Sequence, residues 1–420
     1  MLIKPTSKLL LFFTGIALLF PLFLQYSSII YTGDLYDSGG NIQILPIPIS
    51  FFYCFFIFCL VFRHLRKAYI SLAFIVASTF LMALPLLFES LMLQPNVQKG
   101  ILLAQILMPM IAVILGQILS DDETAISKGF LIVLLLIVPF QLVAGWAHGT
   151  LSLTHNLYLF SIYQQFQYVP HIFICAYIFA ITSLWGKYRS LLCFLSFIMA
   201  IYTVASSSYL AIAIFFPFIT FFIFSALKIN KNIPSDLAKI LIILSSTILA
   251  LCVIRAYFAI AQITDLTFIN GMFFGKFQSL YQNLYDYKLP DNFQERLKIW
   301  HFYGNRIIQS YGTVFFGHTI SIDRNIVKSA HNYYIDIVYN FGIISLLPML
   351  VLVGYTFNLV RKCKSNLSLG TKWHAFVVFY LVLIDANFKA TLYQPYSGIF
   401  TYFLWGLLLS RLHRTREYPL

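Results

Sequence analysis

Charged residues are scarce in this sequence. Asp, Glu, Lys and Arg make up 10% of its 420 residues, whereas a soluble domain carries roughly 25%. Hydrophobic residues account for 60% and aromatic residues for 18% of the chain, and the mean hydropathy is +0.81. This composition excludes a soluble globular protein and indicates a polytopic membrane protein.

Cysteine is also rare, and its placement excludes two kinds of site. Five of the six cysteines lie in strongly apolar runs, and Cys363 lies in a basic segment. None of them can staple the long polar segment of the second half, so we expect no disulfide framework. No spacing of cysteine and histidine resembles a zinc site.

The sequence lacks an internal repeat. Many transporters are built from two matching halves, with charged or broken helices near the bilayer midplane. Here the polar residues are concentrated in one segment of the second half, Gln262–Lys328. This asymmetry disfavours a carrier and leaves a polysaccharide exporter or flippase as an alternative from another functional class.

Apolar runs long enough to cross a bilayer recur along the chain. At about 20 apolar residues per crossing, we predict about twelve transmembrane helices. They lie near residues 9–28, 43–62, 69–89, 100–119, 129–147, 169–185, 190–205, 208–227, 240–261, 333–360, 373–390 and 395–410. The run from Leu191 to Leu227 is too long for one crossing, so we expect it to fold back near Ser206–Ser208.

Basic clusters orient these helices. If the N-terminus is cytoplasmic, each cluster falls on the cytoplasmic side, as the positive-inside rule requires. The clusters are Lys4 and Lys8, Arg63 to Lys67, Lys187 and Arg189, Lys228 and Lys231, Arg361 to Lys364, and Arg411 to Arg416. We therefore predict two cytoplasmic termini and an exterior loop at Gln262–Lys328. Helix orientation, rather than nucleic-acid binding, then explains the net charge of +13.

The exterior loop carries the first candidate residues. Phe293, Leu297 and Trp300 recur at helical spacing and predict an amphipathic helix along the membrane surface. Arg296 and Arg306 lie on this helix, although Arg296, Trp300 and Arg306 cannot all share one face. The spacing leaves a direct role for Arg296 and an ordinary surface role equally open.

Further candidates lie where the loop returns to the membrane. His331 is a natural proton acceptor at neutral pH, and Asn332 and Asp336 share one helix face. Asp385 and Lys389 have the i, i+4 spacing of a pair, and we expect them to pair with each other. The only acidic cluster, Asp121–Glu123, falls on the cytoplasmic side, so we expect no metal site on the exterior.

Two other segments carry weaker signals. Arg255 lies in the outer third of a predicted span, where an arginine faces a cavity or extends to the surface, and its guanidinium suits a phosphate. The segment from His148 to Tyr168 has no charged residue and mixes glutamine with tyrosine and phenylalanine. Such side chains line sugar-binding surfaces and also form interfacial belts.

The loop and the helix that follows it carry an ordered set of motifs. Arg-x-x-x-Trp stands at Arg296–Trp300, FFG at Phe315–Gly317, SAHN at Ser329–Asn332 and FGII at Phe341–Ile344. With the polytopic frame and one large late loop, this set resembles the O-antigen polymerase and O-antigen ligase family of bacterial inner-membrane glycosyltransferases. The detailed likeness covers Glu295–Pro348, and the rest of the chain agrees in hydropathy.

The resemblance implies which residues act. It indicates His331 and Arg296 as functional residues, and we expect them to be catalytic. The candidate substrate-binding residues are Arg255, Arg306, Asn332 and Trp300. Two positions depart from the family pattern. Tyr209 stands in SSSYLA where many members have an arginine, and Ser345 replaces a second glycine after FGII. The first departure weighs against a ligase-like pair of arginines unless Arg255 supplies the second one.

The resemblance also implies a fold and a reaction. The expected fold is an all-α, GT-C-like arrangement forming a single integral membrane domain over residues 1–420, with a large periplasmic loop at 262–328. The expected reaction moves a glycan from undecaprenyl pyrophosphate to a sugar hydroxyl of another lipid-linked unit, without metal or cofactor. The expected partners are undecaprenyl-pyrophosphate-linked glycans, membrane lipids and a chain-length regulator protein, and no nucleic acid.

A polysaccharide polymerase is the first choice among the functions that these residues favour. The near alternative is the ligase that delivers glycan to lipid A core. An exporter or flippase differs from both, because its essential charges would lie inside the helix bundle and its exterior loop would tolerate substitution.

Overall fold

A computed structural model describes ten ranges of the chain. They are residues 7–19, 55–59, 62–92, 97–120, 122–147, 169–205, 209–229, 291–318, 330–389 and 391–417. Within these ranges 90% of the residues are helical and none is in a strand. The expected all-α class is confirmed.

Six helical segments in the described ranges are long and apolar enough to cross a membrane. They are His64–Glu89, Lys99–Ile118, Glu123–Val143, Val169–Thr203, Ile343–Lys362 and Leu369–Phe388. These segments identify a membrane-embedded protein. The number twelve and the GT-C-like arrangement stay predictions, since span 240–261 and most of span 43–62 lie outside the described ranges.

The helices are numbered in chain order. They are α1 (Lys8–Leu19), α2 (Tyr69–Met92), α3 (Val97–Ile118), α4 (Glu123–Ala147), α5 (Val169–Ala205), α6 (Tyr209–Ile229), α7 (Asp291–Ile307), α8 (Tyr311–Phe316), α9 (Tyr333–Phe341), α10 (Leu347–Lys362), α11 (Leu369–Phe379) and α12 (Pro395–Glu417). A 3₁₀ turn at Phe62–Ala68 precedes α2, and another at Ile343–Leu346 precedes α10. A π-helical segment, Tyr380–Asp385, and a final turn, Ala386–Phe388, continue α11.

Two predicted helix boundaries can be compared with the structure. Non-helical backbone angles at Tyr188 interrupt α5, at the boundary predicted between spans 169–185 and 190–205. The prediction of one continuous helix over 333–360 is wrong. Gly342 has φ 78° and separates α9 from the helical residues that follow it. A side chain at Gly342 would clash with the carbonyl oxygen of Phe315, so only glycine allows this close contact.

Contacts divide the described residues into two compact units. One contains the residues up to Ile126 and from Asp291 onward, and the other contains those from Ser127 to Ile229. In the second unit, buried aromatic residues hold α5 and α6 together, with Tyr177 and Phe215 at 5.7 Å between ring centroids. The single integral domain predicted across the chain stays a prediction.

The first unit is organised around α3 and α12, which run parallel to each other. Gly398, near the start of α12, lies against Pro109 of α3, and Ser410, further along α12, bonds Ser120 just beyond α3. Between these points, Gly116 and Gly406 lie directly against the backbone of the facing helix. Small residues of this kind let membrane helices approach closely. α2 instead runs antiparallel to α3, because Ser71 near its start bonds Gln117 and Glu89 near its end pairs with Lys99.

These directions fit the predicted order of crossings. Helices α3 and α12 correspond to the fourth and twelfth predicted spans, and even-numbered spans must run in the same direction. Helix α2 corresponds to the third span and runs the opposite way. The observed directions therefore agree with this order of crossings. The number of spans and the side of the membrane that each end faces stay predictions.

The two ends of α3 differ in chemistry. At its start, Lys99 donates to the carbonyl oxygen of His318, at 3.0 Å. Just beyond its end, the carbonyl oxygen of Ser120 accepts from Arg414, at 2.6 Å, and Glu123 pairs with Arg411. A helix of 22 residues spans about 33 Å, close to the thickness of a bilayer core. His318 and the C-terminal basic cluster therefore lie at opposite ends of α3.

The packing of α3 on α12 gives a first prediction. Alanine normally stabilises a helix interior relative to glycine by about 1 kcal/mol. At Gly406 the added methyl group would clash with the carbonyl oxygen of Val113. We therefore expect Gly406→Ala to lower the melting temperature of the detergent-solubilised protein by roughly 5 °C.

A matched control is available at Gly354 of α10, where an added Cβ meets nothing within 4 Å. Gly354→Ala should leave the melting temperature unchanged or raise it. Equal melting temperatures for Gly406→Ala and Gly354→Ala would show that the close approach of α3 and α12 contributes little to stability.

Candidate functional site

Helix α7 of the loop rests on α9. Its apolar side chains recur at helical spacing, as the sequence predicts, and Tyr303 is only 2% exposed. Tyr303 packs with Ala330 and Tyr339 in one buried cluster, at 5.2 Å from the ring of Tyr339. The helix predicted at Phe293–Trp300 is confirmed. Leu297 of its predicted apolar face is 40% exposed, and the position of the helix along the membrane surface stays a prediction.

The chain then turns through α8, which carries the FFG motif. Ser310 caps α8, and its side-chain oxygen accepts from the backbone N–H of Thr313. Gly317 has φ 80° and lies against the backbone of Asn340, so the FFG turn and the end of α9 meet backbone to backbone. Both glycines of this contact, Gly317 and Gly342, have a positive φ, which residues with a side chain rarely adopt.

His318 anchors the segment after this turn. Its backbone N–H donates to the carbonyl oxygen of Tyr339, at 2.7 Å, and its ring stacks on Tyr339 at 4.6 Å. Its carbonyl oxygen accepts from Lys99, which is 1% exposed and pairs with Glu89. The sequence analysis did not single out these residues, since Lys99 is 219 positions away from His318.

The start of α9 holds His331 and Asn332. Asn332 is the N-cap, and its side-chain oxygen accepts from the backbone N–H groups of Tyr334 and Ile335, at 3.0 and 3.1 Å. His331, immediately before the cap, has φ 49°. A residue other than glycine rarely adopts this conformation, and such strain concentrates at functional sites.

Arg296 and Trp300, one turn apart on α7, both reach toward this region. The Nη1 group of Arg296 donates to the carbonyl oxygen of Phe388. The Nε1–H of Trp300 donates to the carbonyl oxygen of Ala330, at 2.8 Å. Trp300 therefore ties α7 to the residue that precedes His331, and Arg296 reaches the last turn of the α11 segment.

Asn332 reaches the same turn. Its Nδ2 group donates to Oδ1 of Asn387, at 3.2 Å, one position before the Phe388 carbonyl that accepts from Arg296. Residues from three distant parts of the sequence thus meet at Ala386–Phe388. This turn is the centre of the candidate site.

Aromatic rings line one side of the turn. Trp300 and Phe388 have ring centroids 6.2 Å apart, and Phe293 lies 6.3 Å from Phe388 and 6.4 Å from Trp300. These three rings form an aromatic cluster at the turn that accepts the hydrogen bond from Arg296.

The other predicted site residues lie elsewhere. Arg306 is exposed, and its guanidinium stands over the ring of Phe302 at 5.0 Å. Its location agrees with the prediction that Arg296, Trp300 and Arg306 do not share one face. Arg255 and the segment His148–Tyr168 lie outside the described ranges.

Two acidic residues lie near the site inside the protein. Asp336, on α9, is 2% exposed and accepts from the hydroxyl of Tyr393, at 3.3 Å. Asp385 is fully buried and lies 3.8 Å from the Nζ of Lys389. The predicted pairing of Asp385 with Lys389 is confirmed. Within the described ranges, no group of three or more His, Cys, Asp or Glu residues could hold a metal ion.

The sequence matches no protein-family model and no curated protein. The family named above therefore stays a resemblance, carried by the motifs at Arg296–Trp300, Phe315–Gly317, Ser329–Asn332 and Phe341–Ile344.

Proposed function

We propose that this protein is a bacterial inner-membrane glycosyltransferase that polymerises oligosaccharide repeat units carried on undecaprenyl pyrophosphate. The reaction takes place at the periplasmic face, where the positive-inside rule puts the long loop. His331 and Arg296 are the catalytic residues, and Trp300 and Asn332 hold them in position.

One observation carries this proposal. Arg296 of the loop and Asn332, beside His331, both bond to the turn Ala386–Phe388 at the end of a candidate span. A lipid-linked substrate presents its pyrophosphate at the membrane surface, so its reacting group reaches the end of a span. The acceptor base and the cation for the leaving group are needed at that same place.

The reaction then follows from the two side chains. The acceptor hydroxyl loses its proton to His331, while its oxygen forms a bond to the anomeric carbon of the donor glycan. The bond from that carbon to the pyrophosphate oxygen breaks, and undecaprenyl pyrophosphate leaves. Arg296 stabilises the negative charge that develops on the leaving group.

Two features of the sequence favour a polymerase over a ligase. Tyr209, where many family members have an arginine, begins α6. A ligase must admit the phosphate-rich lipid A core, whereas a polymerase seats two lipid-linked glycans. The uncharged segment from His148 to Tyr168 also suits contacts with neutral sugars better than contacts with phosphates.

Reconstitution tests the proposed function. Purified protein receives undecaprenyl-linked repeat units as its only substrate, in the presence of a chelator and without lipopolysaccharide. We expect a ladder of products on a gel, because the same lipid-linked unit serves as donor and acceptor. No ladder should form with a His331→Ala protein made in the same way.

Each other outcome contradicts a different part of the proposal. Transfer that occurs only when lipid A core is added would identify a ligase. A ladder that requires a divalent metal ion would contradict the expected metal-independent mechanism. Translocation of glycan across vesicles without any new glycosidic bond would identify an exporter or flippase.

A further inference from the structure

A second cation lies next to the turn at the centre of the candidate site. Lys389 is 6% exposed and follows the turn Ala386–Phe388 directly. Its Nζ lies 3.8 Å from Oδ1 of Asp385, which is fully buried. That distance corresponds to an ion pair and is longer than a direct hydrogen bond.

The backbone around Lys389 is unusual. The chain passes from a π-helical segment, Tyr380–Asp385, through one turn of α-helix into extended backbone at Lys389, with φ −149° and ψ 147°. π-Helical segments are rare, and they occur frequently at functional sites. The backbone N–H of Lys389 still donates to the carbonyl oxygen of Asp385, at 2.8 Å. One helical turn therefore places both residues at the turn that receives Arg296 and Asn332.

Arg296 is the other cation at this turn. Its guanidinium donates to the carbonyl oxygen of Phe388, the residue before Lys389. The positive charge of Arg296 repels the ammonium group of Lys389. Arg296, Lys389 and Asp385 thus place two positive charges and one negative charge at one turn, beside the rings of Trp300 and Phe388.

Two neighbouring cations in an apolar setting repel each other and lose solvation, which is costly unless anions compensate them. Asp385 compensates one positive charge. A diphosphate supplies more than one negative charge and has oxygens that accept from both a guanidinium and an ammonium group. The arrangement is therefore complementary to a diphosphate rather than to a neutral sugar.

We infer that Lys389 is a substrate-binding residue, which binds the diphosphate of the lipid-linked glycan together with Arg296. Without substrate, the ammonium group of Lys389 pairs with Asp385. When substrate binds, the ammonium group leaves Asp385 and donates to a phosphate oxygen. This inference rests on the proposed function and adds a second cation to it.

Binding without turnover tests this role. The probe is undecaprenyl pyrophosphate, which carries no glycan, and its Kd for the purified full-length protein is measured in detergent. Lys389→Gln should raise the Kd about tenfold, the size expected for one hydrogen bond to a charged group. Lys298→Gln, which removes an exposed cation from the same α7 helix as Arg296, should leave the Kd unchanged.

Asp385 supplies a variant with the opposite expected effect. Asp385→Asn removes the competing carboxylate, so the Kd should stay the same or fall. Removing one member of a buried pair can also destabilise a protein, and the double variant Asp385→Asn/Lys389→Gln avoids an unpaired buried charge. The double variant should bind about tenfold more weakly than Asp385→Asn alone. Equal binding by these two variants would contradict the inference.

The source of the phosphate is tested in parallel. Inorganic pyrophosphate should bind at least about tenfold more weakly than undecaprenyl pyrophosphate, because it lacks the apolar chain. Equal affinities would overturn the assignment to a lipid headgroup. If the protein builds a glycan ladder while Lys389→Gln binds normally, the inference fails and the proposed function stands. If binding depends on Lys389 but no ladder forms, the proposed function fails instead.

Discussion

Replacement of His331 by alanine is expected to lower the polymerisation rate by roughly 100-fold or more, since a positioned general base contributes about that much. His331 lies directly before the N-cap of α9, next to the Ala330 carbonyl that accepts from Trp300. Its imidazole is the natural proton acceptor at neutral pH. The rate is measured as product formed per mole of folded protein.

A His331→Gly variant distinguishes an effect on catalysis from an effect on folding. His331 has φ 49°, a conformation that is strained for alanine and unstrained for glycine. His331→Gly should therefore fold as well as the wild-type protein, with an equal or higher melting temperature, and be as inactive as His331→Ala. His301→Ala, which changes an exposed histidine on α7, should retain full activity.

An active His331→Gly protein would contradict the assignment of the base. Activity in that variant would mean that the imidazole has no chemical role and that the backbone conformation alone matters. Glycan export from cells carrying this variant, without any loss of chain length, would favour the exporter.

Replacement of Arg296 by lysine should be nearly as damaging, with a loss of roughly 100-fold in kcat. The guanidinium has five donors in a rigid fork, and Nη1 already donates to the carbonyl oxygen of Phe388. This contact fixes the guanidinium at the turn where we expect the leaving group. Lysine keeps the positive charge but has no planar guanidinium group. It therefore cannot donate to the Phe388 carbonyl and to the pyrophosphate at the same time in this geometry.

A conservative change on the same helix is the control. Lys298→Arg alters an exposed side chain two positions away and should leave kcat within about twofold of the wild-type value. Equal activity of Arg296→Lys and Lys298→Arg would show that charge alone is required at the loop. Near wild-type product from both Arg296→Lys and His331→Ala would mean that the loop is structural.

Local features of the site were predictable because they depend on residues close in sequence. The spacing of Phe293, Leu297 and Trp300 predicted α7, since a helix repeats every 3.6 residues. The i, i+4 spacing of Asp385 and Lys389 predicted their pairing, which the structure confirms. The break of α5 at Tyr188 also agrees with the boundary predicted between spans 169–185 and 190–205.

Contacts between distant residues were not predictable from spacing. The hydrogen bond from Arg296 to Phe388 joins positions 92 residues apart, and no local pattern specifies it. Hydropathy also predicted one helix over 333–360. A hydropathy average reflects only how apolar the side chains are and does not detect a break in the backbone. The helix instead breaks at Gly342, where the FFG turn packs directly on the backbone.

The sequence by itself determined that this is an all-α membrane protein, because apolar runs must avoid water. Its charge-based topology stays a prediction. It also indicated Arg296 and His331 through motifs. Only the tertiary structure decided that α7 docks on α9, that Arg296 and Asn332 meet at Ala386–Phe388, and that Lys389 stands beside them. The sequence of one helix shows which of its faces is apolar. It does not show which other helix packs on that face, because this depends on the rest of the chain.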